Sequence, residues 1–280
     1  MASTRRWTIS PATCWLRRRR RGRRRIVDAT HERLAALLIQ ARISGKRIGD
    51  IPADLAPPDE AAAYALQDLI VDKLRVRVAA WKVGAASPVS RPSCAPIFAG
   101  HVVKSPAHLL APRDGLNGVE AELAFRIGRD LPARAAAYTE EEVWQALDSL
   151  HVAIEYLDSR FRDRLTAPEL AVLADNISNG GFCWGAPVEN WRAADLAKPA
   201  AQLVVDGTVV AKAVGGNAAG HPKRLVTWLA NHLAQRGRPL LAGTFVTTGS
   251  HTGLCIAPLR APVIARFTGL GEAQLMLVGA

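Results

Sequence analysis

Two periodicities divide the chain. From Ile26 apolar residues recur at helical spacing, with Leu34, Leu37, Leu38 and Ile43 in register and Ser44-Gly45 ending the run. Pro57-Pro58-Asp59-Glu60 opens a second predicted helix, whose apolar side is Tyr64, Leu66, Leu69, Ile70 and Leu74. The acids in its first turn suit the positive end of the helix dipole. Residues 78–84 then read as a short strand, followed by a proline-rich loop that reaches Pro96. Thr139-Glu-Glu-Glu142 is a capping-box sequence and predicts a helix through about Leu147. One further helix is expected over residues 222–235, stopped by Gly237 with Pro239 behind it.

Beyond Leu150 the pattern is mostly that of strands. Residues 202–210 hold Asp206-Gly207 between two β-branched runs, a two-residue hairpin signal. Further strands are expected at 245–248, 263–267 and 273–278. Strands dominate without βαβ alternation, which predicts an α+β protein. The expected division is a helical N-terminal portion over 26–110 and a mostly antiparallel β-rich catalytic core over 111–280.

The polar positions inside this core carry the candidate chemistry. Residues 119–125 read Val-Glu-Ala-Glu-Leu-Ala-Phe. On a strand, Val119, Ala121, Leu123 and Phe125 fill one side while Glu120 and Glu122 stand together on the other. The pair alone reads equally as the solvated face of a half-buried strand. Glu155 changes that picture, because it lies between Ile154 and Tyr156 in the apolar run 151–157, where an unpaired carboxylate is costly to bury. Three carboxylates without evident cationic partners suit a hard divalent cation, which prefers oxygen ligands and keeps positions open for water or substrate.

The net charge of +11 does not describe the core. Residues 1–25 hold ten arginines and no acid, leaving 26 bases against 25 acids in the remainder. The arginine run from 17 to 25, broken only by Gly22, suits electrostatic contact with nucleic acid or anionic lipid, or a targeting role. Arg5-Arg6 is not followed by an apolar h-region, since Ser10 and Pro11 interrupt the stretch after Trp7. The expectation is a disordered arginine-rich extension over 1–25 with no part in the chemistry, and nucleic acid is not the expected partner. Cys14, Cys94, Cys183 and Cys255 have no CxxC spacing, which reads as reduced thiols in a cytoplasmic protein rather than a zinc site or disulfide framework. No apolar stretch approaches the length of a membrane span.

Five segments in order resemble the 2-keto-4-pentenoate hydratase and 4-oxalocrotonate decarboxylase group of the fumarylacetoacetate hydrolase superfamily. They are Trp81-Lys82-Val83-Gly84, the Glu120–Glu122 strand, Ala153-Ile-Glu-Tyr-Leu-Asp-Ser-Arg160, Asp175-Asn-Ile-Ser-Asn-Gly-Gly-Phe182 and Ala242-Gly-Thr-Phe-Val-Thr-Thr-Gly-Ser250. The resemblance implies a β-roll catalytic core, a Mg²⁺ or Mn²⁺ cofactor, homo-oligomeric assembly, and unsaturated 2-oxo or 2-hydroxy acids from aromatic breakdown as substrates. It makes Glu120, Glu122 and Glu155 the metal ligands, in agreement with the charge argument. It makes Lys82 the active-site ammonium, although a lone lysine on such a segment also reads as snorkelling from a strand edge. Ser178 would line the substrate pocket, and Thr248, Gly249 and Ser250 would grip the substrate carboxylate; both segments read equally as ordinary turns. His251, beside them, reads as polar surface.

The chain departs from the hydratase pattern at one place. Where those enzymes carry a Pro-Asp-aromatic-Gly segment, this sequence reads Pro92-Ser93-Cys94-Ala95-Pro96-Ile97-Phe98. Ser93 stands in the acid's place and cannot act unaided as a general base, so the proton work would fall to Lys82, Asp175 or a metal-bound water. The implied activity is hydration of a 2-hydroxy-2,4-dienoate to a 4-hydroxy-2-oxo acid. The alternatives are decarboxylation of a 4-oxalocrotonate-type acid, hydrolytic cleavage of an acylpyruvate, and a non-catalytic partner subunit in a complex with a related decarboxylase or hydratase.

Overall fold

The structure is a computed structural model and describes residues 29–279 of the 280; the arginine-rich extension lies outside the described residues. Helices α1 (Ala29–Ser44) and α2 (Glu60–Leu74) come first. Asp59 caps α2 by accepting the Ala62 N–H at 2.8 Å, and Arg75 closes it in the left-handed conformation. The strands are β1 (Val78–Gly84), β2 (Ser93–Phe98), β3 (Val102–Lys104), β4 (Ala107–Ala111), β5 (Gly118–Ile127) and β6 (Leu147–Leu157). They continue with β7 (Asn179–Pro187), β8 (Ala200–Val205), β9 (Thr208–Val214), β10 (Phe245–Ser250), β11 (Cys255–Ile256), β12 (Pro262–Phe267) and β13 (Gly271–Gly279). Three helices punctuate them: α3 (Glu140–Gln145), α4 (Glu169–Ala174) and α5 (Pro222–Gln235).

An eight-stranded sheet runs β2-β1-β10-β5-β6-β7-β3, with β11 added beside β5, and a five-stranded sheet runs β4-β13-β12-β8-β9. Most ladders are antiparallel, but β1–β10, β3–β7 and β4–β13 are parallel, so the core is mixed. The helical portion ends with α2. Strands β1 and β2 belong to the sheet that carries the acids, so a boundary at residue 110 would cut through that sheet. The capping box at Thr139 forms as its sequence predicts, yet α3 stops at Gln145 because Leu147 already enters β6. The Asp206-Gly207 turn joins β8 to β9 with φ of 48° and 75°, the left-handed values that such a hairpin requires.

The larger sheet is curled. Strands β10 and β7 are separated by β5 and β6, and a flat sheet would hold them about 14 Å apart. Instead the rings of Phe182 on β7 and Phe245 on β10 have centroids 5.8 Å apart. Alternation then sorts the side chains into two regions. Trp81, Val83, Val119, Ala121, Leu123, Phe125, Ile154 and Val246 face outward into the main core, packed with Val263, Ala265, Phe267 and Leu275 of the second sheet. Ala80, Ile97, Ala124, Ala153, Phe182 and Phe245 face inward as a small apolar plug. One pleat step beyond this plug, the same inner face carries Lys82, Glu122 and Glu155.

Candidate metal centre and its cavity

Register brings the acids together. Glu120 on β5 lies directly opposite Glu155 on β6, and Glu122, two residues further, shares their face. Each of the three offers a carboxylate oxygen, and these oxygens lie within 4.8 Å of one another. Glu122 and Glu155 are each 1% exposed. The polar side of β5 is therefore the interior of the curl and not a solvated face.

Each acid is held. Glu122 accepts hydrogen bonds from the Thr247 hydroxyl and, at 3.1 Å, from the Gly249 N–H. Glu155 receives the Asn179 carboxamide at 2.8 Å, and the Lys82 ammonium lies 2.6 Å from the same oxygen. Lys82 also donates to the Ile177 carbonyl at 3.2 Å. That carbonyl is aimed by three consecutive residues in left-handed conformation, Asn176, Ile177 and Ser178, with φ of 55°, 50° and 58°. Such backbone is disfavoured for a β-branched residue such as Ile177 and persists where the surroundings enforce it.

Electrostatics identifies what the cluster lacks. Burial, with the facing charge of Glu155, pushes the Glu120 carboxyl up to about 7, against the pull of Lys82 and Arg164. Burial and the charges of Glu155 and Glu120 hold Glu122 well above the usual carboxylate range, although Thr247 and Lys82 oppose them. Burial alone would depress the Lys82 ammonium, but Glu155, Glu120 and Glu122 outweigh it and raise its pKa. One lysine cannot neutralise three clustered carboxylates, two of them buried, and a hard divalent cation would complete the balance. The donor set is all oxygen and the residues fit such an ion.

A pH dependence follows. Carboxyls with raised pKa hold protons that a metal must displace, so Mg²⁺ affinity should rise with pH between about 6 and 8, by up to about tenfold per unit for each proton released. Without metal the sign reverses. The folded state binds more protons than the unfolded one, so the metal-free protein should lose stability as pH rises from the ordinary carboxylate range through about 7. Calorimetric titration and thermal melts across this range would measure both slopes, and flat slopes would remove the coupling.

A cavity of about 610 Å³ opens over the acids. Lys82, the three glutamates, Gly249, Ser250, Asn217 and Ser93 line it, with an apolar wall of Leu170, Val172, Leu173 and Ile177. The remaining residues expected to act here are placed differently. Ser178 is fully buried behind the wall, its hydroxyl without a partner. Thr248 turns away and donates its hydroxyl to the Leu123 carbonyl at 2.7 Å. Asp175 is no candidate for proton transfer, because it is 2% exposed and bound to Arg160 at 2.5 Å. Nor is His251 polar surface. It is 1% exposed and edge-on to Phe267, and burial lowers its pKa to about 4.

Thr247, Asn179 and the Ile177 carbonyl have no place among the sequence-derived candidates. Gly249 is the signal that finds Thr247. A glycine inside a strand often marks a bulge, and here the register shifts between Thr247 and Ser250, with Gly249 at φ 88°. The extra residue lets Thr247 and Ser250, three apart, both face inward.

Comparisons with known proteins agree with this architecture. The family described as fumarylacetoacetate (FAA) hydrolase C-terminal matches residues 77–275. The chain is 31% identical to a 2-keto-4-pentenoate hydratase of Burkholderia vietnamiensis over 256 residues, 86% of this chain and 95% of the relative. It is 31% identical to a 4-oxalocrotonate decarboxylase of Pseudomonas putida over 137 residues, 49% of this chain and 52% of that protein. The solved structure of 4-oxalocrotonate decarboxylase from Pseudomonas putida G7, complexed with magnesium and adipate, aligns with a TM-score of 0.74. That alignment has 25% sequence identity and covers 88% of this chain and 98% of the other. With the matched segment spanning both the acid-bearing sheet and most of the second one, the chain belongs to the fumarylacetoacetate hydrolase family.

Proposed function

We propose that this protein is a divalent-metal-dependent lyase that hydrates a 2-hydroxy-2,4-dienoate to a 4-hydroxy-2-oxo acid in the breakdown of aromatic compounds. The observation that carries the reading is a lysine ammonium locked beside three clustered carboxylates, two buried and one half-buried, at the base of a cavity with an apolar wall. Glu120, Glu122 and Glu155 would hold the ion, with Mg²⁺ or Mn²⁺ as the expected metal. When bound, it supplies a Lewis acid that favours negative charge on the 2-oxygen of a 2-oxo acid.

The chain's own groups do the rest. Net hydration places hydroxide at C4 and a proton at C3 of the unsaturated ketone, so a donor and an acceptor of protons are both needed. The raised pKa of Lys82 keeps it an ammonium at neutral pH, which suits it to donate and not to abstract. Two of its three N–H groups serve Glu155 and Ile177, and the third is left for the ligand. Ser250 and the bulge at Gly249 provide a polar edge for the substrate carboxylate. Beyond the metal trio, the carboxylates that line the cavity are Glu60 and Glu169, at the first turns of α2 and α4. One of them would be the group available to activate a water, since Ser93 offers only a hydroxyl.

The wall favours hydration over decarboxylation of a dicarboxylate. A dienoate with a hydrocarbon tail would bury it against Leu170, Val172 and Leu173. A second carboxylate would meet Glu60 and Glu169, while Arg91, the cation at that rim, is paired with Glu60 at 3.5 Å. Decarboxylation stands as the second reading, supported by the decarboxylase alignment and by the serine at position 93. We include homo-oligomeric assembly, and association with a related decarboxylase or hydratase, in the same proposal; light scattering of the purified protein tests the first.

Turnover of 2-hydroxypenta-2,4-dienoate, 4-oxalocrotonate and an acylpyruvate, each with and without Mg²⁺ or Mn²⁺, tests the activity. Hydration of the dienoate alone upholds the reading, and carbon dioxide release from the dicarboxylate replaces it. Ser93 opens β2 on the inner face, in line with Ala95 and Ile97, and lines the cavity. Ser93→Asp should therefore raise hydratase turnover on the order of a hundredfold if proton transfer limits the rate. Oxalate affinity should not tighten, because a base lowers the barrier without adding to chelation. Efficient hydration by wild type, unchanged in Ser93→Asp, would assign the proton chemistry to Lys82, Glu60 or Glu169.

A further inference from the structure

A second cavity, of about 640 Å³, lies just beyond the acid-bearing end of the β5–β6 pair, between the chain entering β5 and the chain leaving β6. Lys46, Arg47, Arg162 and Arg164 line it, and Asp114 is its one acidic residue. Arg47 is neutralised by Asp158 at 2.5 Å. Among the described residues, Lys46, Arg162 and Arg164 have no acid within ion-pair distance. Three cations without an ion-pair partner, against the single acid Asp114, thus converge on one concave space, where their mutual repulsion would be relieved by a bound anion.

The lining is built as well as charged. Phe161 forms part of the floor and is buried, and its N–H donates to the buried Ser159 hydroxyl at 3.1 Å, leaving the Ser159 proton free to donate. The opposite turn comes close because Gly115 has no side chain. A Cβ there would stand 3.1 Å from both the Arg47 guanidinium and the Asn117 carboxamide oxygen. No lining residue is shared with the cavity over the acids, although Arg164 lies within electrostatic reach of Glu120.

We propose that this basic cavity is a separate binding site for a compact oxyanion carrying two or three negative charges, of the phosphate or tricarboxylate class. Arg162 and Arg164 provide fork-shaped donors that match such oxygens, and Lys46 adds a mobile point charge. The site stands on the charge and shape of its lining, independently of the reaction assigned to the metal centre.

Isothermal titration of the metal-free protein with inorganic phosphate and with citrate, in chloride buffer near physiological ionic strength, tests it. One saturable site per chain is expected for at least one of the two anions. The Arg162→Ala/Arg164→Ala double variant should lose affinity on the order of tenfold per arginine removed. Its far-ultraviolet circular dichroism and melting point should match wild type, because both side chains are free of the core. Glu122→Gln should leave the affinity unchanged. Three results overturn the proposal: no saturable binding of either anion, equal binding by the double variant, or loss of binding in Glu122→Gln. The last would assign the anion to the metal centre.

Discussion

Glu122→Gln is expected to abolish metal-dependent turnover while raising the melting temperature of the metal-free protein. The two effects have one origin. Glu122 is buried beside Glu155 and Glu120, and both burial and those charges disfavour its ionised form. Glutamine keeps the shape and still offers a carbonyl oxygen to the Thr247 hydroxyl and the Gly249 N–H, while its amide removes the repulsion. Without metal the variant should therefore be the more stable protein. With metal it should be the poorer one. Loss of one of three anionic ligands should erase the Mg²⁺-dependent rise in melting point. Turnover should fall about a thousandfold or more, because metal stabilisation of developing charge supplies several kcal/mol and each ~1.4 kcal/mol is tenfold. Glu120→Gln and Glu155→Gln should lose the metal response in the same way. Equal Mg²⁺ stabilisation of wild type and all three variants would show that the ion is held elsewhere.

The residues of this centre were legible in the sequence to the extent that their signal is local. Strand periodicity places Glu120 and Glu122 on one face, and the apolar neighbours of Glu155 make its charge conspicuous. Which side that face turns to is a tertiary fact. The curl that brings Phe182 against Phe245 encloses the polar face and buries it, and no alternation in a single strand encodes the curl. The same limit explains Asp175 and His251, whose roles depend on packing between elements far apart in sequence. The six-residue helix α4 lacked the length for a helical period to emerge, though it supplies Leu170, Val172 and Leu173 to the cavity wall.

The turn at Thr248 shows a more instructive failure. Uninterrupted alternation puts Thr248 and Ser250 on one face and leaves Thr247 on the other. The bulge at Gly249 reverses the first half of that assignment and moves Thr247 to Glu122. The mixed character of the sheets was hidden for a related reason. Parallel pairing of β1 with β10 joins segments some 160 residues apart, as Lys82 opposite Thr247 shows, and pairing at that range leaves no local pattern.

Asp175→Ala should cost the fold about 3–5 kcal/mol, the usual penalty for stranding a buried charge. Asp175 is the anion at the centre of a buried cationic group. One of its oxygens receives Arg160 Nε at 2.5 Å and the other receives the Arg160 backbone N–H at 3.0 Å. Arg42 approaches the first oxygen at 3.9 Å. Burial and the neighbouring Arg160 already push the Arg42 guanidinium down to about 9, with Asp175 and Asp158 pulling the other way. Removing Asp175 would leave two facing guanidiniums with Asp158 as the remaining nearby acid. For a chain of this size the melting point should fall by roughly 10 °C. The effect should also reach the cavity. Arg160 donates to the Asn179 and Asp175 carbonyls and so clamps both ends of the left-handed turn that aims the Ile177 carbonyl at Lys82. Asp175→Asn separates charge from shape, because its carboxamide oxygen can still accept from Arg160 while the negative charge is gone. Its cost should fall between wild type and Asp175→Ala. Urea denaturation of the three proteins measures the series, and a loss below about 1 kcal/mol in Asp175→Ala would show that Arg160 and Arg42 do not depend on this acid.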